Sequence, residues 1–155
     1  MAKEFSPPAP ESEALHQSEF IAKLENRWRR GNFVCVGLDP DLAQIPQALK
    51  GSASVEDAIA WFNQEIVEAT HDLVCAYKPN VAFYEAQGEQ GLRALARIVR
   101  HIKASYPDIP VILDAKRADI GNTNNGYVQA VFDQLGVDAI TVNPYLGQEA
   151  MRPFL

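Results

Sequence analysis

Four short apolar segments recur along this chain, and each is followed at once by polar residues. They occupy positions 33–38, 73–77, 111–113 and 139–142. Continuous apolar runs, in contrast to strict alternation, are typical of parallel strands that are covered on both faces. The segments between them carry apolar residues at helical spacing. The chain therefore predicts successive βα units whose strands all end in polar residues on the same side.

Helical stripes precede the first strand and fill the three gaps between strands. Ser54 with Asp57 resembles a capping box, and glycines at positions 31 and 136 are expected to stop the first and last helices. The four apolar stripes are Phe20, Ile21, Leu24 and Trp28; Ala58, Ile59, Phe62 and Ile66; Leu92, Leu95, Ile98, Val99 and Ile102; and Tyr127, Val128, Val131 and Leu135. We interpret these stripes as core.

Repeated βα units favour a (β/α)₈ TIM barrel over a doubly wound sheet. A doubly wound sheet would usually carry a glycine-rich phosphate turn after its first strand, whereas Asp39-Pro40-Asp41 stands there. A complete barrel usually needs about 250 residues, and this chain has 155. We expect residues 11–155 to form the N-terminal half of such a barrel, about four βα units with an extra N-terminal helix, truncated before the later strands. Residues 1–10 are expected to be a disordered tail.

Composition narrows the classes of partner. The net charge of −6, with no basic stripe, argues against nucleic acid and against a membrane surface. No apolar run approaches the roughly 20 residues that span a bilayer, and the N-terminus lacks the apolar region of a signal peptide. Cys35 and Cys75 make neither a metal motif nor a disulfide framework, so we predict buried, reduced thiols in a cytoplasmic protein.

The third strand leads into a run of alternating charges. Asp114 and Lys116 are two apart, so they share a strand face, and Asp119 follows three residues later. Charges at the end of a buried strand must pair with one another or with a ligand, because an unpaired charge there is costly. The spacing alone is explained equally well by a structural ion pair.

Together with two other motifs, this run resembles a known family. The pattern Asp-x-Lys-x-x-Asp-Ile-Gly-x-Thr, with an upstream Gly37-Leu38-Asp39 and Tyr77-Lys78-Pro79, is similar to the longer, bacterial form of orotidine 5′-phosphate decarboxylase. The resemblance runs from about Phe33 to the end of the chain. It implies a TIM-barrel lyase that converts orotidine 5′-monophosphate (OMP) to UMP in de novo pyrimidine biosynthesis, without a metal or organic cofactor, as a homodimer.

The resemblance also implies roles for the charged residues. Lys116 would donate a proton to C6 of the pyrimidine, Asp114 would lie beside the departing carboxylate, and Asp119 and Lys78 would complete the charge network. The reaction leaves a carbanion at C6, so a fixed positive charge and then a proton are the requirements. For Lys78 the alternative is a snorkelling surface lysine.

Three further residues are implied as substrate-binding. Asp39 would bind the ribose, although an Asx turn before Pro40 is an alternative. Ile120 and Thr123, with Asp119, would reach into the partner subunit's site, and Thr123 could equally be a helix N-cap. The loops that grip the phosphate in this family would lie beyond Leu155, so we expect the 155-residue chain to be nearly inactive and poorly soluble.

Other functions remain open at this point. A metal-dependent sugar-phosphate decarboxylase or synthase of the same barrel type also carries Asp-x-Lys-x-x-Asp, but tends to have a carboxylate where Lys78 stands. A Schiff-base aldolase using Lys116 is disfavoured by two flanking carboxylates that keep the amine charged. A non-catalytic half-barrel module is the third alternative.

Overall fold

The computed structural model describes residues 11–51 and 53–155. The predicted tail over residues 1–10 lies outside these described residues. Four strands occur in chain order with helices between them. The strands are β1 (Val34–Gly37), β2 (Val74–Lys78), β3 (Ile112–Arg117) and β4 (Ala139–Val142).

The helices fill the gaps that the apolar stripes predicted. They are α1 (Glu11–Arg29), α2 (Gln47–Lys50), α3 (Val55–Thr70), α4 (Val81–Glu85), α5 (Gly88–Ser105), α6 (Gly121–Val128), which continues as a π-helix over Gln129–Leu135, and α7 (Gln148–Met151) between two short 3₁₀ turns, Pro144–Leu146 and Arg152–Phe154. The Ser54 side chain accepts a hydrogen bond from the Asp57 amide and caps α3, as predicted. Gly136, at φ +76°, ends the π-helical segment. None of the helices among the described residues is long and apolar enough to span a membrane.

All strand pairs are parallel and follow the chain order. β1 pairs with β2, and β3 pairs with β4. Two parallel bridges, Tyr77 to Val111 and Asn80 to Asp114, join β2 to β3. This is the arrangement of consecutive βα units in a (β/α)₈ barrel, so the fold class is confirmed for the part of the chain that the structure describes.

The core lies between the strands and the helices α3, α4 and α5. Its largest fully buried side chains are Tyr77 and Tyr84. The Tyr84 hydroxyl donates to the Leu38 carbonyl over 2.8 Å and accepts from the Asn63 amide over 2.9 Å. Because Leu38 follows β1 directly, α4 thereby fixes the end of the strand that leads into Asp39.

Some burial predictions are wrong. β1 was expected to be covered on both faces, yet Val34 is 58% exposed, and Cys35 is exposed where a buried thiol was predicted. The reason is that, among the described residues, β1 pairs with β2 alone and so forms an edge of the sheet. Cys75, on the inner neighbour β2, is buried as predicted. Leu92, at 47% exposed, is not part of the core stripe of α5, although Leu95, Ile98, Val99 and Ile102 are buried as predicted.

Two residues of the α1 stripe also differ from the prediction. Leu24 is buried and Phe20 packs against it, but Ile21 and Trp28 remain 44% and 42% exposed. α1 is held instead by a buried Arg27, which donates to the carbonyls of Val74 and His71 over 2.8 and 2.6 Å. The apolar face of α1 that contacts the sheet is therefore narrower than its sequence indicates.

Gly91 permits a close contact between α4 and α5. A Cβ added at this position would overlap the carbonyl oxygen of Tyr84. We expect Gly91→Ala to lower the free energy of unfolding by about 2 kcal/mol or more, because the backbone must shift to relieve the overlap. Gly126→Ala in α6 is the matched control, since its Cβ meets open space and alanine favours a helix. Urea unfolding of both variants measures the effect; equal stability of the two would contradict the packing argument.

Asp138 ties three elements together at the end of the strands opposite to Asp114. It accepts hydrogen bonds from Lys23 on α1 (2.7 Å), Lys103 on α5 (2.8 Å) and the Val111 amide (2.9 Å). Burial raises the pKa of this carboxyl, but the hydrogen bonds from Lys103 and Lys23 outweigh it, so the pKa lies below its ordinary value. The negative form is therefore stabilised by folding.

The lowered pKa of Asp138 predicts that the stability of the protein depends on pH. A depressed pKa contributes stability that is present above the unfolded pKa of about 3.9 and lost as the pH falls below it. We expect Asp138→Asn to cost about 3 kcal/mol at pH 7, with the difference from the unmodified protein shrinking below about pH 4. The exposed Asp133→Asn is the control. A difference that stays constant between pH 7 and pH 3 in urea unfolding would contradict this account.

Candidate active site

Charged side chains meet at the carboxyl ends of β2 and β3. Lys78 is the last residue of β2, and Asp114 and Lys116 are the third and fifth of the six residues of β3. Asp114 is at the centre: Oδ2 accepts from Lys78 Nζ over 2.8 Å, and Oδ1 accepts from Lys116 Nζ over 2.6 Å. The alternative of Lys78 as a snorkelling surface lysine is therefore wrong, since its ammonium is paired. We call these three residues the Lys-Asp-Lys network.

The network differs in exposure from one member to the next. The Asp114 side chain is 13% exposed and that of Lys78 34%, whereas the Lys116 side chain is 66% exposed. An ammonium group has three N–H donors. Lys116 therefore uses one of them for Asp114 and leaves the others accessible from solvent.

The network also shifts the pKa values of two of its members, Asp114 and Lys78. Hydrogen bonds from Lys116, Lys78 and Thr141 hold the pKa of the Asp114 carboxyl far below its usual range, although burial opposes them. The hydrogen bond to Asp114 raises the pKa of Lys78, and the charge of Asp39 adds to it. At neutral pH the site holds a carboxylate fixed between ammonium groups.

A distortion of β3 brings Lys116 into this position. Leu113 pairs with Ile140 and Arg117 with Val142, so four steps along β3 correspond to two along β4. The extra residues form a bulge, which bends a strand and redirects its side chains. Lys116 has φ +49°, in the left-handed region that residues other than glycine seldom adopt. The shared face that simple alternation predicted for Asp114 and Lys116 is therefore achieved through a bulge.

Asp39 lies beside the network. Its Oδ1 accepts from the Asn80 amide over 3.0 Å, which ties the loop after β1 to the loop after β2. The Asx-type bond in this loop belongs to Asp41, whose carboxylate accepts from the Ala43 amide. Asp39 is exposed, so its second oxygen is accessible to a ligand.

Asp119, Ile120 and Thr123 lie apart from the network. Asp119 Oδ1 accepts from the Ile120 amide over 2.7 Å, and the Asn124 side chain accepts from the Asp119 amide over 2.7 Å. Ile120 is 68% exposed and Thr123 is exposed. The N-cap alternative for Thr123 is wrong: α6 begins at Gly121 with Ile120 as its N-cap, three residues earlier than a Thr123 cap would place it. The contacts between Asp119 and Asn124 lie at this start.

Sequence reasoning missed two groups around the bulge. Thr141 on β4 donates to Asp114 Oδ1 over 2.8 Å. Arg117 donates to Glu85 over 2.6 Å and to the Ala115 carbonyl over 3.1 Å, and its guanidinium lies 5.3 Å from the ring centroid of Tyr127. The signal for Thr141 was present, since a hydroxyl stands inside the apolar run of the fourth strand.

The family follows from comparison with known proteins. Residues 32–155 match the model of the "Orotidine 5'-phosphate decarboxylase / HUMPS family". The chain belongs to this family. An orotidine 5′-phosphate decarboxylase of Herpetosiphon aurantiacus is 56% identical over 123 residues, which cover 79% of this chain and 43% of that relative. The one from Cellvibrio japonicus is 48% identical over 136 residues, covering 87% of this chain and 49% of that relative.

Solved structures of the family agree with the fold. The structure of Leishmania donovani OMP decarboxylase superimposes with a TM-score of 0.74 at 38% identity, covering 87% of this chain and 48% of that one. The chain thus spans about half the length of the orotidine 5′-phosphate decarboxylases that it matches. This confirms the prediction that the chain corresponds to part of the family's barrel.

Proposed function

We propose that the protein containing this chain decarboxylates orotidine 5′-monophosphate to UMP, with the Lys-Asp-Lys network at its reacting centre. The observation that carries the proposal is the single carboxylate of Asp114 held between Lys78 at 2.8 Å and Lys116 at 2.6 Å. Membership of the family and the names of its relatives support the substrate.

The proposed chemistry uses the charges of the site in order. The bond between C6 and the carboxylate breaks, CO₂ leaves, and the electron pair stays on C6. The Lys116 ammonium lies next to this developing negative charge and stabilises it, because a preorganised charge needs no reorganisation during the reaction. An N–H proton of Lys116 then passes to C6, and solvent reprotonates the amine.

Asp114 serves two purposes in this scheme. It fixes the position of both ammonium groups, and its negative charge lies beside the substrate carboxylate that departs. Loss of CO₂ relieves the repulsion between the two carboxylates, which favours the transition state over the bound substrate. Lys78 and Asp39 are proposed to bind the ribose hydroxyls, since both are accessible at the same strand ends.

We further propose a homodimer with the start of α6 at the partner's site. The exposure of Ile120 and Thr123 supports this assignment, as do the hydrogen bonds of Asp119, which go to Ile120 and Asn124. In such a dimer Asp119 would complete the charge network of the other subunit. A cytoplasmic location is proposed from the two free thiols, because reducing compartments keep cysteines in this form.

The test is metal-independent turnover. The gene product that contains this chain, assayed in EDTA, is expected to deplete the absorbance of OMP and to form UMP. Dependence on added Mg²⁺ with a sugar phosphate as substrate would favour the metal-dependent relatives instead. A folded dimer without either activity would favour a non-catalytic module. The 155-residue chain assayed in parallel is expected to show little turnover, since it spans about half the length of the relatives that it matches.

A further inference from the structure

The Thr141 hydroxyl makes three hydrogen bonds at the β3 bulge. It accepts from the Ala115 amide over 3.1 Å and from the Lys116 amide over 3.0 Å. It donates to Asp114 Oδ1 over 2.8 Å. A threonine hydroxyl has one donor and two acceptor sites. All three are used here. The two acceptor sites take the amides of Ala115 and Lys116, and the hydroxyl proton is donated to Asp114.

These bonds replace what the bulge removes from the strand ladder. Where β3 carries extra residues opposite β4, the Ala115 and Lys116 amides have no place in the regular pairing with Ile140 and Val142. A buried amide without a partner costs about 1–3 kcal/mol, and Ala115 is 7% exposed. The hydroxyl on β4 supplies the acceptor that a backbone carbonyl would supply in a regular sheet.

The bulge is also held from its other side. Arg117 donates to the Ala115 carbonyl over 3.1 Å, and its own carbonyl accepts from the Asn143 amide over 2.6 Å. Lys116 lies between these anchors with φ +49°. Backbone in a sparsely populated region persists only when its surroundings fix it. Thr141 is the one of these groups that contacts both the Lys116 backbone and the Asp114 carboxylate.

We propose that Thr141 is a positioning residue that sets the backbone of Lys116 and the carboxylate of Asp114 through one hydroxyl. The expected effect of Thr141 on the reaction rate rests on the proposed decarboxylation, whereas its effect on the bulge does not depend on the reaction. Thr141 acts through its neighbours: it aims the Lys116 ammonium at the reacting carbon and keeps Asp114 Oδ1 in line with it.

The test compares two substitutions in the gene product that contains this chain. Thr141→Val keeps the branched shape and removes all three hydrogen bonds, and Thr141→Ser restores the hydroxyl. We expect T141V to lower kcat for OMP by about 100-fold, because a displacement of about 1 Å at a reacting group has an effect of this size. The KM and the affinity for UMP should stay unchanged, and T141S should recover most of kcat.

Thr70→Val is the matched control. It removes a hydroxyl that donates to the Ile66 carbonyl on α3 and contacts the Tyr77 hydroxyl in the core, and that makes no contact with Asp114 or Lys116. It is expected to lower stability without changing kcat. A T141V variant whose loss appears in KM alone, or a T141S variant as slow as T141V, would overturn the positioning role.

A second measurement does not depend on turnover. Hydrogen exchange of the Ala115 and Lys116 amides should be faster in T141V and unchanged in T141S and T70V. If the unmodified protein does not decarboxylate OMP but these amides exchange faster in T141V, the proposed function fails and the control of the bulge stands. If the unmodified protein is active and neither kcat nor exchange changes in T141V, the inference about Thr141 is wrong.

Discussion

Replacing Lys116 with alanine is expected to lower the turnover of OMP by about 10⁴-fold or more. In the proposed reaction, the substitution removes both the proton donor and the positive charge beside C6. General acid catalysis alone contributes about 10²–10⁴-fold, and a preorganised charge adds about 10²–10³-fold. The measurement is kcat in EDTA, with folding checked by circular dichroism. The Lys116 side chain is 66% exposed, so its loss should leave stability nearly unchanged.

Lys50→Ala is the matched control for this experiment. Lys50 lies at the end of α2 and donates to the carbonyls of Leu42 and Ala43, in the loop after β1. The Lys50→Ala substitution removes a lysine ammonium that makes no contact with the Lys-Asp-Lys network. Lys116→Arg adds a finer distinction, because it keeps a positive charge but an arginine does not give up its proton at neutral pH. Turnover by K116A near that of K50A would rule out Lys116 as the proton donor.

Replacing Asp114 with asparagine is expected to lower kcat by about 10³-fold while KM stays unchanged or falls. The substitution is nearly isosteric but removes the negative charge that holds Lys78 and Lys116 and that, in the proposed reaction, faces the substrate carboxylate. A change that lowers kcat without raising KM indicates an interaction used in the transition state or a repulsion removed from the bound substrate. Steady-state kinetics with OMP separate the two parameters.

Asp133→Asn is the control for D114N, since Asp133 is exposed in the π-helical segment. A rise in KM with kcat unchanged would contradict the role of Asp114 at the reacting centre. Such a result would indicate that Asp114 only positions Lys78. The pKa of Lys78 should fall toward its ordinary value in D114N, because the hydrogen bond that raises it is gone. Nuclear magnetic resonance of the lysine Nζ groups would detect this shift.

The charged centre could be predicted from the sequence because each of its three residues stands at or near the end of a predicted strand. Asp114 and Lys116 are two apart at a strand end, and a buried strand end cannot carry unpaired charge. The position of Lys78 followed from the repeat of βα units, which places the ends of successive parallel strands at one edge of the sheet. The structure brings these three residues together as the pattern indicated.

The parts that sequence reasoning missed depend on register and on neighbours distant along the chain. Nothing local to residues 111–117 shows that β3 gains extra residues against β4, so the bulge could not be derived. The hydroxyl of Thr141 is visible in the apolar run, but without the bulge its partners are not. The exposure of Cys35 depends on β1 being an edge within the described residues, which the apolar run itself does not reveal. The start of α6 lies three residues earlier than a Thr123 cap would place it, where Asp119 and Asn124 are in contact.

The contacts around Asp114 also bear on how the protein folds. Its partners Lys78 and Thr141 are 36 and 27 residues away along the chain. Contacts of such sequence separation form late and slowly, because the loops between them must close first. Lys116 lowers the Asp114 pKa from within β3, whereas the parts due to Lys78 and Thr141 appear only when β2 and β4 have docked. Recovery of turnover during refolding would therefore report the completed assembly of three strands, and would lag behind the helices α3 and α5, whose internal contacts are local.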